Sequence, residues 1–191
     1  FGWIPMEPGV RGKPNSWGGH LAIPREIYAL PDGSLGSRLP LRLRKRLEEL
    51  PWREAPGFPV TSEARPLGGA GPEGWQDVAA EFTLQMPVAT KAVRIGIAPL
   101  GEIVVERGRI RILDAAGETG SEISADVPAD AAVPIRVFVE AEVVEVFVND
   151  RYSLVARLPA REGERRLAVR GDGAGASVGA ARVSALAWAG S

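Results

Sequence analysis

The sequence predicts an all-β fold, two packed antiparallel sheets with a single helix ahead of them. Three observations predict it. Twenty-three glycines and 16 prolines cut the 191-residue chain into short pieces, and most of those pieces are β-branched, as in proteins built from strands and turns. From Trp75 onward roughly eight such pieces follow one another with turns at short intervals, the rhythm of a two-sheet sandwich. Between Ile135 and Leu158 the aliphatic residues alternate strictly enough for a strand register to be read from them.

In chain order, Phe1–Pro5 reads as a short apolar strand end and Glu7–Gly19 as a Gly/Pro/Asn loop. His20–Pro24 is a strand, continued by Glu26–Leu30. Pro31-Asp32-Gly33 is a turn, because proline presets φ and glycine accepts a positive φ. Ser34–Leu39 returns as a strand. Two or three strands cannot bury their own faces, so this segment is expected to pack on something the chain mostly lacks. Leu43, Leu47 and Leu50 recur at helical spacing, which predicts a helix over Leu41–Leu50. Pro40 suits its first turn and Pro51 ends it. Arg42, Arg44, Lys45 and Arg46 form its wet side. Pro56–Gly74 reads as a surface loop or linker with at most one short strand.

The sandwich strands are expected at Val78–Leu84, Ala92–Ile97, Glu102–Arg107, Arg109–Leu113, three within Ile135–Leu158, and then Arg166–Val169 and Ala176–Ala187. A turn at Ala141-Glu142 sets Val139 against Val144, Val137 against Val146 and Ile135 against Val148, with every aliphatic pair on one face. The turn residues are unusual, since two-residue hairpin turns prefer Asn-Gly or Gly-X, and a longer or distorted connection is expected. A three-residue loop at Asn149-Asp150-Arg151 pairs Val148 with Tyr152, Val146 with Leu154 and Val144 with Ala156. That loop type places its third residue in the left-handed region, here Arg151, at a strain of about 1 kcal/mol. The opposite face carries Arg136, Glu140, Glu145, Phe138 and Phe147. It reads as exposed, which makes the two phenylalanines the place to look for an assembly surface.

Composition excludes several function classes. Apolar residues make up 45% of the chain, enough for a real core. With 23 basic and 24 acidic side chains there is no charge excess to draw nucleic acid or an anionic membrane. No apolar run approaches the roughly 20 residues of a membrane helix. With no cysteine and one histidine, His20, a metal centre or a Ser-His-Asp system has little to work with, and no cofactor is expected. The chain opens on Phe1 without a basic or apolar leader, so its natural start is expected upstream and its compartment stays open.

Two motifs carry a resemblance. Val143-Val144-Glu145-Val146-Phe147-Val148-Asn149-Asp150 resembles the V-E-V-F-V-N-D-G signature in the C-terminal sandwich of glycoside hydrolase family 32, the invertases, inulinases and levanases. Gly2-Trp3-Ile4-Pro5, followed by Trp17-Gly18-Gly19-His20-Leu21-Ala22-Ile23-Pro24-Arg25-Glu26, resembles that family's G-W-M…W-x-G-x-L-S-L-P-R-E-L. The resemblance spans nearly the whole chain. It implies that residues 1–40 are the end of a five-bladed β-propeller catalytic domain, 41–59 a connector helix and linker, and 60–191 the β-sandwich domain. It further implies hydrolysis of terminal β-fructofuranosyl bonds in sucrose or a fructan by a retaining mechanism. The family's nucleophile, acid/base and helper motifs (W-M-N-D-P-N-G, E-C-P and R-D-P) are absent here and would lie upstream. Two departures stand out: Arg151 replaces the glycine that relatives carry after N-D, and Asp114-Ala115-Ala116-Gly117 stands where many carry D-R-S-x-S-G.

By the same resemblance Trp3 and Trp17 are the substrate-binding candidates, since the family places aromatic residues from this region around the fructosyl subsite and an indole face suits the C–H face of a sugar. The alternative is that both pack between propeller blades. His20 is read as capping a blade, and Arg25 and Glu26 as fixing a blade edge or the domain interface. Glu140, Glu142, Glu145 and Asp150 are read as a solvated acidic face, and Trp75 and Trp188 as sandwich core or edge. The expected partners are sucrose or a fructan oligosaccharide and the propeller of the same protein, with no nucleic acid and no membrane. A fructan-binding or purely structural sandwich without activity of its own is the alternative.

Overall fold

A computed structural model describes residues 3–5, 19–68 and 74–186, with the backbone path alone at 3–5, 19 and 20. The N-terminal segment holds β1 (Trp3–Pro5), β2 (Gly19–Leu21), β3 (Glu26–Ala29), β4 (Leu35–Arg38) and the helix α1 (Leu41–Leu47). Three short strands follow, β5 (Arg53–Ala55), β6 (Phe58–Pro59) and β7 (Arg65–Pro66). The long strands are β8 (Val78–Gln85), β9 (Ala92–Ala98), β10 (Gly101–Glu106), β11 (Arg109–Asp114), β12 (Thr119–Ser124), β13 (Ala132–Glu140), β14 (Val143–Val148), β15 (Tyr152–Arg157), β16 (Arg166–Asp172) and β17 (Ser177–Ala185).

They make a β-sandwich. One sheet runs β12-β11-β10-β9-β16-β7, the other β15-β14-β13-β8-β17-β5, with β6 also on β17. Every pairing is antiparallel. Side chains alternate across a strand, so Val78, Ala80, Phe82 and Leu84 of β8 meet Val93, Ile95 and Ile97 of β9 in one apolar core between the sheets. Within the expected connector, β5 and β6 pair with β17; β7, further on, pairs with β16. The helix ends at Leu47, a turn short of the expected Leu50. Strand β12 has no expected counterpart. It is an edge strand, mostly exposed, and lacks the apolar alternation that would announce it.

The double hairpin has the register read from the sequence: Ile135 opposite Val148, Val137 opposite Val146, Val139 opposite Val144, then Val146 opposite Leu154 and Val144 opposite Ala156. The first connection is no longer than two residues, and Ala141 sits at φ 50. The fold holds that conformation from both sides. Asp77 Oδ1 accepts the Ala141 N–H at 2.7 Å, and the buried Arg165 guanidinium donates to the Ala141 carbonyl at 3.0 and 3.3 Å. In the second loop the expectation for Arg151 is corrected. Asn149 (φ 57) and Asp150 (φ 49) take the left-handed positions, and the Arg151 N–H closes the turn onto the Val148 carbonyl. Asn and Asp tolerate that region better than arginine does.

The expectation of an exposed Phe138/Phe147 face is also corrected. Phe138 and Phe147 are 2% and 0% exposed. They meet edge to face, 6.0 Å between ring centroids, beneath Leu39, Leu47, Ile23, Leu43, Leu50 and Trp52. Residues 22–52 thus form a third layer on the outer face of the larger sheet, and all six residues of β14 are buried.

Candidate functional site

The third layer is where the N-terminal motif and the sandwich motif meet. Its anchor is Glu145, an outer-face residue of β14 that is only 4% exposed, where a solvated side chain was expected. Its Oε1 accepts the Ile23 N–H at 2.8 Å, and its Oε2 accepts Arg25 Nη2 at 2.8 Å. Arg25 also donates to Ser153 Oγ at 2.8 Å and the Ile23 carbonyl at 3.0 Å, with its guanidinium 5.3 Å from the Phe147 ring centroid. A carboxylate out of water needs such partners. Burial still pushes the Glu145 carboxyl above its ordinary value, against the opposing pull of the Ile23 N–H and Arg25, with Glu140 adding to the rise.

A second set of contacts docks the β3–β4 hairpin onto the Asn149–Arg151 loop. Tyr28 Oη donates to the Asp150 carbonyl at 2.7 Å, and the Ser37 N–H to the Arg151 carbonyl at 3.0 Å. Gly33 turns the hairpin at φ 81. Beside it, Asp32 accepts both the hydroxyl and the N–H of Ser34 and pairs with Arg151 at 2.9 Å. Those partners, the Ser34 hydroxyl first, hold the Asp32 carboxyl below its usual value. Arg151 is therefore a tether to the N-terminal segment. Arg25, expected at a blade edge or the domain interface, bridges the N-terminal segment to β14 and β15. Glu26 pairs with Arg38 at 2.7 Å across the β3–β4 hairpin, and Arg38 stacks on Tyr28.

Three of the four acidic residues near the hairpin turns are taken up by ion pairs. Glu145 is held by Arg25, Glu142 by Arg157 at 3.2 Å and Asp150 by Arg136 at 2.5 Å, while Glu140 is exposed. Among the described residues no group of His, Cys, Asp or Glu is placed to hold a metal ion. Trp17 and Trp188 lie outside the described residues, and of Trp3 and His20 only the strand positions are described, opposite Leu21 and Ile4. Trp75 packs partly buried against the sandwich core. The sequence did carry one signal for the buried Glu145: a "wet" sheet face bearing two phenylalanines is a face that something covers.

No family model and no curated protein matches the chain. Solved structures do. A β-fructofuranosidase from Aspergillus kawachii matches with a TM-score of 0.61 at 14% identity, over 86% of this chain and 33% of its own. A sucrose-6-phosphate hydrolase from Lactobacillus gasseri matches with a TM-score of 0.54 at 15% identity, over 84% and 33%. The exoplasmic/lumenal domain of VIP36, in a form bound to Ca²⁺ and Man3GlcNAc, matches with a TM-score of 0.50 at 12% identity, over 73% and 85%. At such identities the likeness is one of fold: the chain is built like a β-sandwich found in glycosidases and in a sugar-bound lumenal domain. It spans about a third of the length of the two enzymes. Fold does not settle function.

Proposed function

We propose that this chain is the C-terminal part of a family 32 glycoside hydrolase. In this reading residues 1–40 end the catalytic propeller, residues 41–59 connect, and residues 60–191 are the sandwich. The enzyme cleaves terminal β-D-fructofuranosyl bonds of sucrose or fructans with retention, through a carboxylate nucleophile and a carboxylic acid/base about 5–5.5 Å apart, both upstream of Phe1. Trp3 and Trp17 contribute indole faces to the fructosyl subsite.

One observation carries the reading. The fructofuranosidase match covers more of this chain than residues 60–191 could supply alone, so it extends into the residues before 60. Two motifs and one backbone path thus favour the same family. The surface agrees with it. Among the described residues, five large apolar side chains are more than half exposed; Leu21, Ile27, Leu35 and Leu41 lie in the N-terminal segment, and the fifth, Val88, lies between β8 and β9. Such a concentration is expected where another domain packs.

The test is expression of the chain with its upstream coding sequence, beside the 191-residue chain, and assay on sucrose, inulin and levan. The longer protein hydrolyses a fructoside and the shorter one does not. Turnover by the 191-residue chain, or a longer protein inactive on every fructoside, overturns the reading. In the longer protein Trp3→Ala and Trp17→Ala each lower kcat/KM by about tenfold, the scale of one lost aromatic contact.

A further inference from the structure

The outer face of the smaller sheet carries a groove of about 640 Å³ over β9 and β16. Its origin is a run of missing side chains. Gly96 stands directly opposite Ala168, and Ala98 opposite Arg166, so the floor is backbone, methyl groups and the edge of Pro99. The Asp114–Gly117 turn closes one end.

The rim is charged but balanced. Arg94 and Arg170 are direct cross-strand neighbours, a like-charge pairing that alone is unfavourable. Glu102, on the adjoining strand, resolves it by pairing with both: its Oε1 accepts Arg94, and its Oε2 accepts Arg170 Nη2 at 3.1 Å. Asp172 takes the Arg94 Nε at 3.3 Å. Two guanidiniums therefore fix the Glu102 carboxylate at the groove's edge, with lone pairs left over, and Arg170 and Arg166 keep further N–H donors beside the floor.

An anion would meet Glu102 and a cation would meet the arginines. A ligand with no net charge, hydroxyls along its edge and C–H groups on its face satisfies rim and floor together. The volume is that of an ordinary small-molecule site. We propose that this groove is a binding site for a neutral saccharide. It does not depend on the assignment of Trp3 and Trp17 to the fructosyl subsite.

The experiment is titration of the 191-residue chain with sucrose, inulin-type, levan-type and cello-oligosaccharides, and with fructose 6-phosphate as an anionic probe, followed by calorimetry and by backbone amide NMR. At least one neutral saccharide binds saturably at about 1 mM or tighter, moving the amides of Gly96, Ala98 and Ala168. Gly96→Phe puts a ring on the groove's floor. A Cβ at Gly96 comes no nearer than 3.7 Å to the Ala168 carbonyl, so the backbone accepts a side chain there; the variant keeps the wild-type circular dichroism spectrum and loses affinity by at least about tenfold. Arg42→Ala, on the exposed side of the helix over the other sheet, leaves the affinity unchanged. The proposal is overturned by absence of saturable binding, by amide shifts confined to other regions, by binding that survives Gly96→Phe, or by a preference for the phosphate. None of these outcomes bears on hydrolysis by the longer protein.

Discussion

Removing Arg25 tests whether residues 22–52 are an integral layer of this fold. The Arg25 and Glu145 side chains are 17% and 5% exposed, and breaking a buried pair from one side costs about 3–5 kcal/mol. In Arg25→Ala, Glu145 keeps the Ile23 N–H, while the contacts to Ser153 and the Phe147 ring also go. We therefore expect a loss of about 3 kcal/mol at neutral pH, or about 6–12 °C in Tm for a chain of this size. The pH dependence gives the loss a signature. Burial already raises the Glu145 carboxyl above its ordinary value, so its contribution is fully present below that ordinary value and is lost as pH rises through the folded one. Without Arg25 one of the lowering influences vanishes, the carboxyl rises further, and the variant recovers by taking up a proton as pH falls. The gap between wild type and Arg25→Ala is thus larger at about pH 7.5 than at about pH 4.5. Thermal unfolding followed by circular dichroism at both pH values, for Arg25→Ala, Glu145→Gln and the double variant, measures the coupling. A loss below about 0.5 kcal/mol with a gap independent of pH would refute the argument, and would mean that the segment rests loosely on the sheet.

Phe147→Ala empties a fully buried site between sheet and helix layer and lowers unfolding free energy by about 3–5 kcal/mol in urea titration; were the face open to water, the loss would be far smaller. Arg165→Ala removes the donors to the carbonyls of Ala141, Arg161 and Gly163 and costs about 2–3 kcal/mol by the same assay. Ala141→Gly relieves a left-handed alanine and raises stability by about 0.5 kcal/mol net of the added freedom of the unfolded chain, whereas Arg151→Gly relieves no such strain and loses the tether to Asp32.

The sequence by itself determined the sandwich and the register of its central hairpins. Strand alternation has period two, so Ile135, Val137 and Val139 could meet Val148, Val146 and Val144 in only one way with all six facing the core. It also located α1 and the β3–β4 turn, whose signals are local. It was silent on β12, because an exposed edge strand reading Thr-Gly-Ser-Glu-Ile-Ser has no apolar face to alternate. Tertiary structure alone decided what covers the other side of the larger sheet. Glu145 and Phe147 looked solvated because the residues that bury them, Ile23, Arg25 and Leu39 among them, lie more than 100 positions away in the chain, beyond any local pattern. It also decided which loop residues bear positive φ, since Ala141 is held there by Asp77 and Arg165. And it shaped the groove over Gly96 and Ala168, residues whose smallness means nothing until strand pairing sets them side by side.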